Sequence, residues 1–244
     1  MQHFDPYQAY GVVFGDQNLA RCVRETAKMH IHNIDVLKCF QAEIRYLDGV
    51  EHLTNLMELD LHMNEVEDGS LLAKLPRLRD LHLGLNHCSE IGWLKGMHSL
   101  RSLTLFDNDI EDARPLSPLV GLEVLHLRFN LLDDIEALRP LTNLKELSIS
   151  SNLIDDLTPL AGMRKMELLN VYKNFISDLS PLAGMKHLRE LYAGENPIED
   201  IRVLFELPNL VVANLVGTRV PEAHRKMLDQ HVAHNRARLG LPPL

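Results

Sequence analysis

The chain has 244 residues, of which 45% are hydrophobic and 24% charged, and its formal net charge at pH 7 is −9. This acidic balance disfavours a nucleic-acid backbone or an anionic membrane as the main partner, because both are themselves negative. No stretch approaches the ~20 apolar residues of a membrane helix and the first residues show no signal-peptide pattern, so membrane insertion is not expected.

Residues 1–33 differ from the rest of the chain and are predicted to form a helical cap. Asp16 precedes the segment QNLARCVRETAKMH, in which Leu19, Cys22 and Val23 lie on one side of a helix. Aspartate is a preferred N-cap residue, so the helix is predicted to begin at Asp16.

From Ile34 onward one pattern returns every 22 residues. The apolar and asparagine positions Leu122, Leu125, Leu127 and Asn130 recur as Leu144, Leu147, Ile149 and Asn152, and again as Met166, Leu169, Val171 and Asn174. Nine repeats begin at residues 34, 56, 78, 100, 122, 144, 166, 188 and 210. A fixed period of this length predicts a solenoid over residues 34–217.

The pattern L-x-x-L-x-L-x-x-N-x-L is that of leucine-rich repeats. The 22-residue period, with I/L-x-D-L/I-x-P-L in the second half, resembles the repeats of bacterial internalins and of the regulatory subunit of type-one protein phosphatase. The resemblance implies an α/β fold: a right-handed solenoid with a parallel concave β-sheet, short 3₁₀ or helical turns on the convex side, and helical caps at both ends. It implies little about function, because this fold serves many unrelated partners.

Each repeat is predicted to contain a short strand followed by a turn. Alternation points Leu125 and Leu127 inward and places Val124, His126 and Arg128 on the concave face. The asparagine column is predicted to satisfy backbone groups that the turn leaves unpaired, through Asn64, Asn86, Asn108, Asn130, Asn152, Asn174 and Asn196.

An acidic column marks the second half of the repeats, at Asp68, Glu90, Asp112, Asp134, Asp156, Asp178 and Asp200. Such a column is compatible with calcium binding. Capping of short turns is the preferred interpretation, because each acid lies close to a Pro-Leu pair or precedes an apolar residue. Gly69 replaces the usual Leu or Ile of its repeat, which predicts a looser or reshaped return segment.

Residues 218–244 are predicted to form a second cap. Thr218 occupies the asparagine position, so the asparagine column ends there. Pro221 and Gly240 bound a predicted helix, since proline favours the first turn and glycine follows the end. The residues predicted to cover the last repeat are Met227, Leu228, Val232 and Leu239.

The three cysteines show no paired spacing. Cys39 and Cys88 stand at apolar repeat positions and are predicted to be buried small hydrophobic residues rather than disulfide partners. The odd count favours a reducing compartment, which predicts a cytoplasmic location. The alternative is a secreted bacterial effector without a cleavable signal.

Motifs for catalysis are absent: no P-loop, G-x-S-x-G, H-E-x-x-H or paired C-x-x-C is present. The chain is therefore predicted not to be an enzyme and to need no cofactor, and Cys22 is the one thiol left for a catalytic hypothesis. Asp60, His62 and His82 are of the types that bind zinc and fall on neighbouring strands. A solvated polar strand surface explains them better, so no metal is predicted.

The predicted contact surface consists of outward aromatic, cationic and polar residues, namely Phe106, His126, Arg128, Phe129, Asn170, Tyr172, Lys173 and Tyr192. Exposed Phe, Tyr and Arg dominate the energetics of protein interfaces. Ser148, Ser150 and Ser151 are expected to form a shallow dip between them. The sequence thus predicts a monomeric, non-catalytic scaffold that binds a protein partner. The alternatives are an internalin-like effector or surface recognition protein, and a glycan-binding module.

Overall fold

The computed structural model describes residues 5, 7–27 and 30–243 and divides into two compact units, the first ending at Gly121 and the second beginning at Leu122. Each unit is a set of coils, and each coil is one 22-residue repeat. This division lies within the repeats, so the predicted boundaries after residues 33 and 217 stay predictions.

The first unit opens with the antiparallel pair β1 (Gln8–Ala9) and β2 (Val12–Val13), followed by α1 (Gln17–Thr26). Helix α1 begins where predicted, because Oδ1 of Asp16 accepts the backbone N–H of Asn18 at 2.7 Å. Its Oδ2 accepts the backbone N–H of Arg45 at 2.8 Å. Asp16 therefore both caps α1 and ties it to the first coil. Lys28 and Met29, also in the predicted helix, lie outside the described residues.

Parallel strands pair in sequence order within each unit. The first unit contains β3 (Val36–Lys38), β4 (Glu58–Asp60), β5 (Asp80–His82) and β6 (Ser102–Thr104). The second contains β7 (Val124–His126), β8 (Glu146–Ser148), β9 (Leu168–Asn170), β10 (Glu190–Tyr192) and β11 (Val212–Asn214). Partners are 22 residues apart, so the inward leucines of successive strands stack without exposure. Each contributes ~1.5–3 kcal/mol of apolar burial.

The buried asparagines form the predicted ladder. Nδ2 of Asn152 donates to the carbonyl oxygens of Leu127 and Ile149, both at 3.0 Å, and its Oδ1 accepts the backbone N–H of Leu132 at 3.0 Å. One side chain thereby satisfies groups of its own coil and of the preceding coil. The equivalent asparagines of both units make the same kinds of bonds.

The return segments are short 3₁₀ helices, as predicted: Val50–His52, Ser70–Lys74, Gly92–Gly96 and Arg114–Leu116 in the first unit, and Glu136–Leu138, Thr158–Leu160, Ser180–Gly184 and Arg202–Glu206 in the second. Oδ1 of Asp156 accepts the backbone N–H of Thr158 at 2.7 Å. Asp68, Asp112, Asp134, Asp178 and Asp200 make the same bond, which confirms the capping interpretation for the aspartates. Glu90 does not make this bond, and its backbone carbonyl instead accepts the indole N–H of Trp93 at 3.1 Å.

Gly69 makes room for a neighbouring side chain. A Cβ atom at this position would lie 2.4 Å from Cζ2 of Trp93 in the next coil. Its own return segment still forms a 3₁₀ helix, Ser70–Lys74. The segment is therefore reshaped around the indole rather than loosened.

The prediction that Cys39 is not a disulfide partner is wrong. Cys22 of α1 and Cys39 after β3 form a disulfide across a sequence separation of 17. Cys39 is buried as predicted, but it also staples the cap helix to the first coil, and Cys22 holds no free thiol. Cys88 is buried and free, and burial raises the pKa of its thiol to about 12.

The second unit ends in α2 (Glu222–Arg238). Leu228 and Val232 are buried as predicted, whereas Met227 and Leu239 are exposed, contrary to the prediction. The buried face continues instead through Asn235, one helical turn beyond Val232. Nδ2 of Asn235 donates to the carbonyl oxygen of Leu210 at 3.1 Å. None of the described helices combines the length and apolar character needed to cross a bilayer.

Removing one rung of the asparagine ladder tests its contribution. Asn152→Ala leaves buried carbonyl groups and one N–H without partners, and each such group costs about 1–3 kcal/mol. The free energy of unfolding in urea should fall by about 2–4 kcal/mol. Asn143→Ala is the control, because that partly exposed amide meets Lys165 Nζ at 2.7 Å. Equal losses from both variants would contradict the role of the ladder.

Thiol counting tests the disulfide. Protein produced in an oxidising compartment and denatured without reductant should take up one iodoacetamide label, at Cys88, and three after reduction. Closing a loop of this size stabilises a fold by about 3 kcal/mol, so the Cys22→Ser/Cys39→Ser variant should unfold at lower urea concentration. Three labels before reduction would show that the pair is open.

The acidic column predicts that the stability of the fold decreases at low pH. Hydrogen bonds from the Arg202 side chain and backbone lower the pKa of Asp200 to about 2, from 3.8. The contribution of Asp200 to the free energy of unfolding is complete above pH 3.8 and is lost as the pH falls toward 2. The reason is that the carboxylate takes up its proton at a higher pH in the unfolded chain than in the folded one. Thermal melts at pH 5 and pH 3 should show a smaller loss of Tm for Asp200→Asn than for the wild type. Identical losses would count against this contribution.

Candidate functional site

The outward side of the second-unit strands forms a continuous surface, called here the strand face. Alternation along each strand places one row on it, made by His126, Ser148, Asn170, Tyr192 and Asn214, which lie in register. The row two residues later contains Arg128, Ser150, Tyr172, Gly194 and Val216. Backbone bonds hold this second row in place, for example from Phe129 N–H to the Ser150 carbonyl at 3.0 Å.

Small residues lower the middle of the strand face. Ser148 and Ser150 are only 8% and 6% exposed, although they point outward, because larger residues stand in the neighbouring coils. On one side Tyr172 leans toward Gly194, where a Cβ atom would lie 3.1 Å from the ring. The serines thus form the floor of a depression with Tyr172 at its edge.

Carboxylates hold two of the predicted contact residues in fixed orientations. Nε2 of His126 lies 2.8 Å from Oε1 of Glu146. The Tyr192 hydroxyl donates to Oε2 of Glu190 at 2.8 Å, and this bond raises the pKa of the phenol. These bonds reduce the side-chain entropy that a partner would otherwise have to remove.

Asn170 has a structural role in addition to its place on the surface. Its Oδ1 accepts the backbone N–H of Tyr172 at 3.1 Å. The amide is therefore partly committed to positioning the tyrosine that follows it.

Two more of the predicted contact residues belong to a column of residues with left-handed backbone conformation, one in each coil. This conformation was not predicted from the sequence. Phe129 and Lys173 have φ values of +55° and +56°, and so do the equivalent residues of other coils. The conformation costs ~1–2 kcal/mol for a residue other than glycine, and the adjacent asparagine ladder holds it in place. Gly217, at the same position of the last repeat, was the sequence sign that could have revealed it.

Phe129 is the most exposed aromatic side chain among the predicted contact residues, with 53% of its surface accessible. The Arg128 guanidinium lies 5.9 Å from the centre of its ring, within the range of a cation–π contact. Tyr172 is 36% exposed, and Lys173 beside it is exposed. The second unit therefore offers aromatic and cationic groups around the serine depression.

Phe106 belongs to the first unit and packs within it. A Cβ atom on Gly84 would lie 2.3 Å from Cε1 of Phe106, so the ring covers the glycine. Its centre is 5.3 Å from the centre of the His62 ring. This predicted contact residue is half-buried in an aromatic cluster with histidine.

The metal candidates Asp60, His62 and His82 do not converge on one point. Nδ1 of His62 lies 2.8 Å from Oδ1 of Asp60, and the two imidazole rings stack at 5.4 Å between centres. Stacked rings keep their nitrogens in separate planes. Among residues 5, 7–27 and 30–243 no group of three His, Cys, Asp or Glu side chains is arranged to hold a metal ion.

The titration of this cluster follows from its packing. Burial lowers the pKa of His82, which disfavours its charged form. Partial burial pushes the pKa of Asp60 upward, but hydrogen bonds from the backbone and ring of His62 outweigh it and leave that pKa lowered. The cluster is thus a packed, polar part of the first unit.

Comparisons with known proteins agree with the repeat architecture. A family model described as leucine-rich repeats in two copies matches residues 98–140, 120–162 and 142–184. A search of curated proteins found no match.

Solved structures match a larger part of this chain than the family model does. Internalin C2 from Listeria monocytogenes matches with a TM-score of 0.81 at 33% sequence identity, covering 83% of this chain and 94% of that chain. A second internalin of that bacterium, InlF, matches with a TM-score of 0.58 at 26% identity, covering 90% of this chain and 80% of the other.

A plant protein shares the fold alone. The leucine-rich repeat ectodomain of a membrane receptor kinase from Arabidopsis thaliana, in complex with Casparian strip integrity factor 2, matches at 20% identity and a TM-score of 0.63. The match covers 72% of this chain and 23% of that chain. Because internalin C2 is matched over nearly its whole length at 33% identity, the chain belongs to the leucine-rich repeat proteins with internalin-type repeats.

Proposed function

We propose that the chain is a non-catalytic interaction module that binds a protein partner through the strand face of its second unit. The observation that carries this proposal is the grouping of Arg128, Phe129 and Tyr172 around the depression floored by Ser148 and Ser150. Aromatic and arginine side chains around a recess are the usual anchors of protein interfaces.

The rigidity of the surface supports the same function. Backbone ladders fix the strands, and Glu146 and Glu190 fix His126 and Tyr192. A preorganised surface loses little conformational entropy on binding, so more of the contact energy becomes affinity. Phe106 stays a predicted contact residue of the first unit, and the monomeric state stays a prediction.

The relatives support a recognition role. Leucine-rich repeat proteins serve as interaction modules, because their stacked repeats form extended binding surfaces. Likeness to internalin C2 favours the internalin-like alternative, a bacterial effector or surface recognition protein. The Cys22–Cys39 disulfide also favours that alternative over the predicted cytoplasmic location, since disulfides persist mainly in oxidising compartments.

The strand face can be tested with position-matched substitutions. Immobilised wild-type chain would recover a partner from host or native extracts, and the purified partner would then be titrated by calorimetry. Phe129→Asn and Tyr172→Ala should each weaken binding by at least about 1–2 kcal/mol, because they remove aromatic anchors. Asparagine tolerates the left-handed backbone of residue 129, so that variant should keep its fold.

Leu85→Asn is the matched control, because Leu85 occupies the same left-handed repeat position in the first unit, with φ of +56°. Asp156→Asn controls for the return segments. Both should bind within about twofold of wild type, as expected for residues outside the energetic centre. Equal losses from the controls and from the strand-face variants would contradict the proposal.

A further inference from the structure

Three large apolar side chains stand exposed in a row outside the strand face. Leu131, Leu153 and Phe175 are 43%, 47% and 59% exposed and follow the ladder asparagine in three consecutive coils of the second unit. We call them the apolar ridge. None of them belongs to the contact surface proposed above.

The backbone of the ridge is held by its own ladder. The N–H of Leu153 donates to the Leu132 carbonyl at 2.8 Å, and the N–H of Phe175 donates to the Ile154 carbonyl at 2.8 Å. The three side chains therefore form a fixed row, stepping by the ~4.8 Å that separates paired strands.

The fold does not require apolar residues at these positions. In the first unit Glu65 and His87 occupy the same repeat position, are exposed, and donate the same backbone bond at 2.9 Å. Polar residues thus satisfy the same local geometry. Exposed apolar residues that folding does not need, grouped in one row, are characteristic of an interaction site.

One flank of the ridge is negatively charged. The next residue after each ridge position is buried, so the residue after that points outward again, which places Asp133 and Asp155 beside Leu131 and Leu153. Both carboxylates are exposed, and the turn-capping residues Asp134 and Asp156 follow directly. The flank therefore complements a basic partner surface.

We propose that the apolar ridge docks a basic amphipathic helix of a partner protein. A helix laid along the ridge advances ~5.4 Å per turn, close to the ridge step, so it can present one apolar side chain to each coil. Lysine or arginine side chains on the adjoining helical face meet Asp133 and Asp155. A second copy of this chain is disfavoured as occupant, because pairing two such ridges would bring their acidic flanks together.

The test uses a labelled helical peptide of about 14 residues, roughly four turns, made of leucine at i, i+3, i+4 spacing and lysine elsewhere. Fluorescence anisotropy measures its binding to the full chain. A second peptide replaces each lysine with glutamate, and a third scrambles the leucine–lysine order. The first peptide should bind, and the other two should bind at least about tenfold more weakly.

Variants locate the binding. Leu153→Asn/Phe175→Asn should lower the affinity at least about tenfold, by loss of the apolar anchors. Asp133→Asn/Asp155→Asn should lower it about threefold and flatten its salt dependence. Glu65→Asn/His87→Asn, matched in repeat position, and Tyr172→Ala on the strand face should bind the peptide as wild type does. Circular dichroism melts of each variant confirm that it is folded.

Two results would overturn the proposal. Equal binding by the ridge variants would show that a cationic peptide merely adheres to an acidic protein. A wild-type dimer in sedimentation that dissociates in Leu153→Asn/Phe175→Asn would assign the ridge to self-association instead. Peptide binding does not involve the strand-face partner. The ridge proposal can therefore be contradicted while the strand-face proposal is supported, and the reverse.

Discussion

The structure depends on the buried asparagine amide at the turn of each coil. Asn152 satisfies carbonyl oxygens of two coils and one backbone N–H at the same time. Without this amide, the turn at the end of each strand would leave several polar groups unpaired in an apolar interior, each at a cost of about 1–3 kcal/mol. Because the amide links each coil to its predecessor, it also fixes the spacing at which the inward leucines stack.

This constraint determines what the surface can display. The amide holds the preceding residue in a left-handed conformation, so the fold bears strain at Phe129 and Lys173 and directs both side chains to the border of the strand face. The residue after the asparagine is fixed by its own backbone bond and carries Leu153 or Phe175. One buried rung thus positions residues of two separate surfaces.

The two units use one backbone plan with different side chains. In the first unit, Phe106 folds over Gly84 against His62, and the position after the asparagine carries Glu65 and His87. In three coils of the second unit the position after the asparagine carries the exposed residues Leu131, Leu153 and Phe175. Since the coil tolerates either choice, folding does not require apolar residues at these three positions.

The sequence by itself determined the repeat, the inward leucines, the asparagine and aspartate roles and both helices, because each follows from local periodicity or capping. Only the tertiary structure decided the Cys22–Cys39 pairing, since proximity across a separation of 17 residues leaves no local pattern. It also decided which outward residues are exposed: Phe106 is half-buried because Gly84 gives it space, while Met227 and Leu239 lie on the open side of their helix. Exposure depends on neighbours one coil away, and the pattern within a single repeat does not contain them.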